Sequence, residues 1–351
     1  MKVKIGESEI HGRGLFANEE IEKNETILIE RPLVAMQDLQ SRQESMCCGN
    51  CLGFLKRQLE KDEDRQIYHG KVMQGKEEGF VCCCGEIFCS IQCQKAEAHN
   101  RLCVGSIESE AHPLVQFKKL AVQSNEILLL VADALVNCDE NALKKFVREP
   151  WDQVVAKARE LRSEPPDNNL AQSLCELCQE AATLLQQAGF SNCTYDEVSR
   201  TIGLFEQNNI GISRLLEFSN EEEQQQYSHC LYGTALFALC CAANHSCDPN
   251  CSVIFIANDY APSSPLAAFL VANRDIPKNH ELTISYIDEN ASKGRRRLAT
   301  ADYGFICSCA RCSSSSSSSQ EANETDEDAD STNSKKASSC TNTSSDNDED
   351  R

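Results

Sequence analysis

Residues 244–253 read "NHSCDPNCSV" and directly follow the apolar run "ALFALCCAA" at 235–243. Asn, His, Ser, Cys and Asp thus stand at the end of one of the most apolar segments of the chain. A buried polar group without a partner costs a few kcal/mol. Two readings are open. Asp248-Pro249-Asn250 is good turn chemistry, and an exposed turn needs nothing further. Alternatively, these side chains are buried and remote parts of the chain supply their partners. Local evidence favours the turn, so the other segments must decide.

With 351 residues and 41% hydrophobic content, the chain can bury a sizeable core in roughly two or three domains. No run approaches the ~20 apolar residues of a membrane span, so no membrane association is expected. The opening "MKVKIGESEIHGRG" has no apolar segment between its charges and a cleavage site. An intracellular protein is therefore expected, in cytoplasm and nucleus alike.

That expectation sets the meaning of 22 cysteines. In a reducing compartment a disulfide framework is not expected. Nine cysteines fall between Cys47 and Cys103, and three crowd into "CSCARC" as Cys307, Cys309 and Cys312. Thiols clustered at such spacing inside a cell point to zinc. Cys138, Cys175, Cys178 and Cys193 fall instead on helical apolar faces and read as small core residues.

The formal charge of −20 argues against direct nucleic-acid binding, because phosphate contacts need a basic surface. It suits a basic protein partner. Within residues 320–351 ten acids face three bases, a net of −7 that leaves −13 on the remainder. An unbroken serine run at 313–319 precedes that stretch and no hydrophobic period follows, so the tail is expected to be disordered. A solubilising appendage and a docking arm for a basic partner both fit it.

Residues 3–35 read as short strands: "KVKIGESEIHGRGLFA" turns at 9–14, and "ETILIERPLVA" alternates around Ile27, Ile29 and Pro32. Residues 46–103 hold the first thiol cluster, interrupted by the polar stretch "KRQLEKDEDRQ". Residues 113–200 are helical in pattern, with apolar residues recurring every three or four positions. Pro150 and Pro165-Pro166 divide that region, and Gly189 stops "AQSLCELCQEAATLLQQAG". "CSVIFIAND", "PLAAFLVANRDI" and "HELTISYID" then return to strand character. Strands on either side of the insertions are expected to share one sheet system.

Within the first cluster, "CCGNC" offers Cys48 and Cys51 at knuckle spacing, which lets two thiolates point at one ion. "CCCGEIFCSIQC" adds Cys82, Cys83, Cys84, Cys89 and Cys93, and "HNRLC" adds His99 and Cys103 on one helical face. Eight ligands for two tetrahedral zinc ions can be drawn from these, with one or two thiols to spare. The segment has too little apolar content to fold without metal. Reactive or incidental cysteine is the alternative.

Here the chain resembles the MYND zinc finger. The resemblance implies one site from Cys48, Cys51, Cys89 and Cys93, and another from Cys82, Cys84, His99 and Cys103, with Cys83 the alternative ligand. The family's usual second knuckle has two residues between its thiols, a register that needs cysteine where Val81 stands. A RING-type ubiquitin ligase is the competing module, which the final His-x3-Cys and the long Cys51–Cys82 interval suit poorly. The MYND resemblance also implies proline-containing peptides as partners of the finger.

Four separated stretches now belong together: "HGRGLFA" (11–17), "NHSCDPN" (244–250), "ELTISYID" (281–288) and "YGFICSCARC" (303–312). They resemble the pattern of SET-domain lysine methyltransferases. With the MYND-like insertion, the chain resembles a SET-and-MYND-domain protein over nearly all of residues 5–312. It is most similar to the divergent branch with an acidic C-terminal tail and no C-terminal helical-repeat domain. The implied fold class is α+β: a SET-domain β-fold of pseudoknotted small sheets, with an inserted MYND-type zinc finger and a helical insertion. The implied organisation is a SET N-terminal part at 1–45, the finger at 46–104 and the helical insertion at 105–200. The C-terminal part of the SET domain follows at 201–290, a post-SET zinc segment at 291–312, and the tail at 313–351.

The resemblance implies a protein-lysine N-methyltransferase that uses S-adenosylmethionine and acts on a basic protein, histone or ribosomal. A lysine of pKa about 10.4 must lose a proton before attacking the methyl group, and a short apolar channel lowers that value by desolvation. Positioning and electrostatics then supply most of the catalysis. Gly12, Arg13, Gly14 and Leu15 would lie along the cofactor, glycine permitting close approach. Asn244 would meet its amino-acid end and His245 its adenine, and Asn208 in "EQNNIGI" would touch it too. Tyr286 would set its hydroxyl at the transfer point, also contacting cofactor, while Tyr303 and Phe305 would line the lysine channel, Phe305 covering the cofactor as well. Cys247 would join Cys307, Cys309 and Cys312 around a third zinc ion. From the residues alone, Tyr286 reads as a core tyrosine on a strand. The alternative from another class is a catalytically weak MYND-finger scaffold in transcriptional regulation. "KGRRR" at 293–297 is too short for a nuclear signal and reads as a loop.

Overall fold

A computed structural model describes residues 1–8, 12–44, 47–55, 72–74, 77–106, 109–215, 230–255 and 265–313. The acidic tail and the polar stretch 56–66 lie outside the described residues.

The first strands are β1 (Val3–Ser8), β2 (Gly12–Ala17), β3 (Thr26–Glu30) and β4 (Val34–Gln37), followed by helix α1 (Leu39–Glu44). The thiol-rich module contains β5 (Val72–Gln74), β6 (Glu77–Val81) and β7 (Ile87–Phe88), then α2 (Ile91–Gln94) and α3 (Glu97–Leu102). Its own buried cluster is Cys48, Leu55 and Phe88 with the thiols packed around them. So small a core fits a module that depends on metal.

Six helices form the insertion: α4 (Pro113–Gln123), α5 (Ile127–Asn137), α6 (Glu140–Leu143), α7 (Trp151–Leu161), α8 (Asn168–Gln187) and α9 (Tyr195–Asn208). Their ends follow local chemistry. Asp167 caps α8 by accepting from Leu170 N–H at 2.9 Å, and Thr194 caps α9 with Glu197 three residues on. Gly189, at φ 103°, is the expected glycine stop after α8. One boundary is corrected. The insertion read as ending at 200 continues to Asn208, because Ile202, Leu204 and Phe205 extend the buried face begun by Val198. Of the four core cysteines, Cys178 and Cys193 are buried, whereas Cys138 and Cys175 are half-buried. Cys193 lies in the turn before α9 rather than on a helix.

The chain then returns to strands: β8 (Ile210–Leu215), β9 (Cys230–Leu236), a 3-10 turn (Cys240–Ala242), β10 (Asn244–His245), β11 (Cys251–Ile254), β12 (Ala268–Ala272) and β13 (Glu281–Ile284). Helices α10 (Lys293–Ala301) and α11 (Ala310–Ser313) end the described part. Four sheets run β1-β2-β13-β10, β11-β12-β3, β4-β9-β8 and β5-β6-β7. The first three each pair an N-terminal strand with strands beyond the helices, the shared sheet system that the sequence pattern predicts.

The four-stranded sheet positions the site. β10 runs parallel to β13, Asn244 opposite Thr283 and His245 opposite Ile284. β13 runs antiparallel to β2, Glu281 opposite Phe16 and Leu282 opposite Leu15. Leu15, Phe237, Leu270 and Leu282 anchor one core, while Phe117, Leu130 and Phe205 anchor a second among the helices. Val34 of β4 and Leu236 of β9 reach into the helical core and tie the two together. The finger docks on both: Arg101 Nη1 donates to Val136 O at 2.7 Å, Asn137 Nδ2 to Ala98 O at 3.2 Å, and Leu266 N–H to Cys51 O at 2.9 Å. Among the described residues no helix is long and apolar enough to cross a membrane.

Candidate active site and metal centres

Burial answers the question raised by residues 244–253. His245 is 3% exposed and Cys247 1%, so the exposed-turn reading fails for them. It holds for Asp248, whose carboxylate accepts from Arg274 Nη2 at 2.9 Å on the surface. Asn250 closes the turn onto β13, donating to Glu281 O and accepting from Thr283 N–H, both at 2.8 Å.

Each buried polar group has a partner from a distant segment. Asn244 Nδ2 donates to Arg13 O at 3.0 Å and to Glu281 Oε1 at 2.7 Å. His245 Nδ1 accepts from Tyr286 N–H at 3.1 Å, and its Nε2 stands 3.3 Å from Cys247 Sγ. The Tyr286 hydroxyl donates to Ala243 O at 2.7 Å, and the Tyr303 hydroxyl donates to Tyr286 O at 2.9 Å. Ring centroids lie 5.4 Å apart for His245 and Tyr286, 5.0 Å for Tyr286 and Tyr303, and 5.9 Å for His245 and Phe305. The half-buried aromatic cluster therefore sits on the Asn-His pair.

The electrostatics follow from burial. Desolvation pushes the Tyr286 phenol above its ordinary range, with Cys241 and Tyr303 adding to it, so the hydroxyl stays protonated at neutral pH. Tyr303 shifts the same way, with Asp302 and Glu206 as the charged neighbours. The Cys241 thiol is pushed up to about 12 by burial and is neutral beside them. Arg13 is lowered by desolvation, opposed by Cys241 and Tyr286. Its guanidinium lies 5.1 Å from the Phe146 ring centroid and donates to Lys145 O, so the side chain turns toward the helical insertion while the carbonyl faces Asn244.

Glycine has distinct reasons at two positions of the "GRGLFA" strand. Gly12 has φ 74°, a conformation that favours glycine. At Gly14 space is the reason: a Cβ there would stand 2.7 Å from Glu281 Oε1 and 3.1 Å from Asn244 Nδ2. Leu15 is wholly buried in the sheet core beneath. Asn208 is the one expected contact that does not join this network. It ends α9, and its amide donates back to Leu204 O at 2.9 Å.

Three groups of side chains have the donors for a metal ion, each with its ligand atoms within 4.8 Å of one another: Cys48, Cys51, Cys89, Cys93; Cys82, Cys84, His99, Cys103; and Cys247, Cys307, Cys309, Cys312. A tetrahedron with Zn–S bonds of ~2.3 Å has edges of about 3.8 Å. Cys51 and Cys89 stand 3.6 Å apart, Cys82 and Cys103 3.6 Å, and Cys247 and Cys307 3.8 Å. The residues fit zinc. Cys82 and Cys84 belong to the second group, whereas Cys83 is exposed, 3.8 Å from Cys82. A hydrogen bond from Cys51 pulls Cys48 down to about 5. At Cys82 burial opposes ionisation, but bonds from Cys84 and His99 bring it to about 6. Burial and neighbouring thiols raise Cys51, Cys84 and Cys89 in the same groups, so the ion itself would have to draw off their protons.

Sequence reasoning missed three residues here. Glu281 was quoted only as the head of a strand, and the polar residue that holds it, Ser8 Oγ at 2.9 Å, lies on β1. Cys241 read as part of an apolar run. "KGRRR" is neither a loop nor an exposed basic cluster throughout: it opens α10, with Ser292 as cap, and Arg296 is buried with Nη2 3.9 Å from Cys312 Sγ. Its helical spacing with Thr300 was the available signal.

Fold and site together define an α+β protein in which non-consecutive strands bring an Asn-His pair against aromatic rings, beside three groups of side chains able to hold metal ions. The family model described as "SET domain" matches residues 12–287, and the chain belongs to the SET-domain family. It is 26% identical to "Histone-lysine N-methyltransferase ATXR2" of Arabidopsis thaliana, over 86% of this chain and 88% of that one. It is 28% identical to "Protein-lysine N-trimethyltransferase SMYD5" of Mus musculus, over 86% and 84%. A shorter match, 41% identical over 23% of this chain and 15% of the other, is to "SET domain and MYND-type zinc finger protein 6" of Schizosaccharomyces pombe.

Proposed function

We propose that this protein is an S-adenosylmethionine-dependent protein-lysine N-methyltransferase. The observation that carries the reading is the convergence of residues 12–15, Asn244, His245, Tyr286 and Phe305 at one point of a SET-domain chain. The names of its relatives support the same activity. When bound, S-adenosylmethionine supplies an electrophilic methyl group on sulfonium.

The chain's own residues then have the following work. Gly12, Arg13 and Gly14 would lie along the ligand at the head of β2, where Gly12 leaves open space, while Leu15 anchors the strand in the core. Asn244 receives the amino-acid end and His245, its ring held by Tyr286 N–H, meets the adenine. Asn208 would contribute only by releasing Leu204 O. The neutral Tyr286 hydroxyl donates its hydrogen bond to Ala243 O, which leaves its lone pairs to orient the N–H bonds of an incoming amine. Tyr303 and Phe305 wall the approach, exclude water and so disfavour the ammonium form of lysine. The three thiol groups would hold three zinc ions as structural braces, Cys247 and Cys307 bridging the Asn-His segment to the C-terminal turn.

The substrate is a protein lysine. The charge of −20 favours a basic target such as a histone or ribosomal tail, in cytoplasm or nucleus, with proline-containing peptides as ligands of the finger. Labelled methyl transfer from S-adenosylmethionine to histones and ribosomal proteins tests the activity. Incorporation into lysine is the expected result. No incorporation, together with no cofactor binding by calorimetry, would overturn it.

A further inference from the structure

Glu281 opens β13, beside Asn244, and the roles given above leave it unused. Its Oε1 accepts from Asn244 Nδ2 at 2.7 Å and its Oε2 from Ser8 Oγ at 2.9 Å. Arg13 O accepts from the same Asn244 nitrogen at 3.0 Å. A primary amide has two N–H donors, and both are used. The pattern also dictates which way the amide points. Turned over, its oxygen would face a carbonyl and a carboxylate, acceptor against acceptor. Oδ1 remains, and among the described residues no donor meets it. Gly14 makes the arrangement possible, since a Cβ there would press on both Glu281 and Asn244.

We infer that Glu281 is a positioning residue that holds the Asn244 amide with Oδ1 outward, so that the site selects a ligand carrying a protonated amine at its amino-acid end. The inference rests on the cofactor reading above and adds the source of its selectivity. An acceptor tethered by its own two donors cannot turn to serve a ligand that lacks the ammonium group. Such a ligand would leave Oδ1 covered and unpaired. The carboxylate one amide away also favours a cation. Without Glu281 only Arg13 O still holds the amide, and the preference weakens.

Calorimetry on the full chain with S-adenosylhomocysteine and its 2-deamino analogue tests this. The wild type is expected to bind the amine-bearing compound about 10- to 100-fold tighter, the range of one hydrogen bond to a charged group. Glu281→Ala should narrow that gap by about tenfold, whereas Glu281→Gln, which still presents an oxygen to Asn244, should keep most of it. Should Glu281→Ala fail to fold, Glu281→Asp withdraws the carboxylate by one methylene and gives the same readout. Equal weakening of both compounds, with the gap intact, overturns the inference, because a purely structural residue would act that way. A wild type that binds both compounds equally overturns it while leaving the cofactor reading in place. A wild type that binds neither removes the cofactor reading and the inference together.

Discussion

Tyr286 combines three features in one residue: a desolvated phenol, a hydroxyl already committed to Ala243 O, and a backbone N–H that holds the His245 ring. Tyr286→Phe removes only the first hydrogen bond and leaves the backbone contact. It is expected to lower kcat by about a hundredfold or more, the scale of one lost polar contact at a reacting centre. Cofactor affinity should stay nearly unchanged, and stability should fall by about 1 kcal/mol. Single-turnover kinetics beside calorimetry separate these effects. Tyr303→Phe removes the hydroxyl bonded to Tyr286 O and opens space in the aromatic wall. Mass spectrometry of the product should then show a shift toward more highly methylated lysine. Both tyrosines carry folded pKa values above the ordinary value of about 10. Their contribution to stability is therefore complete below about pH 10 and is lost as the pH climbs through the folded values. Thermal unfolding followed from about pH 10 upward should show the onset of that loss, reduced in either Phe variant.

Helix α9 is held close by a residue without a side chain. A Cβ on Gly203 would lie 2.0 Å from Glu149 O, so the helix packs directly against the backbone that leads into α7. Gly203→Ala should cost about 1–3 kcal/mol, as overpacking does, and urea titration would measure it. The same helix carries Glu206, a charged neighbour of Tyr303, so its displacement should also weaken activity. The finger is the converse case, an element with almost no apolar core of its own. Chelation should unfold it, seen as lost far-UV circular dichroism signal that zinc restores. Acid should do the same, because Cys thiolates and His99 must be deprotonated to hold the ion, and metal release should follow falling pH.

At the scale of the whole molecule, the third thiol group fastens the chain's late segment to the strand that carries Asn244 and His245. Cys247 meets Cys307 at 3.8 Å and Cys312 at 3.5 Å, and Arg311 Nη1 donates to Cys247 O at 2.9 Å. Tyr303 and Phe305 are carried on that same late segment. Cys307→Ser should therefore reduce the metal content from three ions to two by native mass spectrometry. It should weaken cofactor binding without unfolding the finger, since the finger's eight ligands are separate. Retention of three ions would show that the three late thiols do not hold one.

Thiol spacing was legible in the sequence because it depends on residue type and short-range geometry, whereas the glycines at 12 and 14 and the Asn-His pair were singled out by their resemblance to the SET pattern. The helix stop at Gly189 was legible for the same reason as the thiols. Only the tertiary structure decided how those pieces meet. Asn244, Arg13 and Glu281 lie more than 30 residues apart in the chain and touch only because β10 pairs with β13 and β13 with β2. Asn208 was singled out by its neighbours in sequence, yet its amide bonds its own helix. Arg296, in a stretch that read as a loop, is set against Cys312 by the fold. Hydrogen bonds between remote strands leave no period in a sequence, whereas ligands that share an ion at close spacing do.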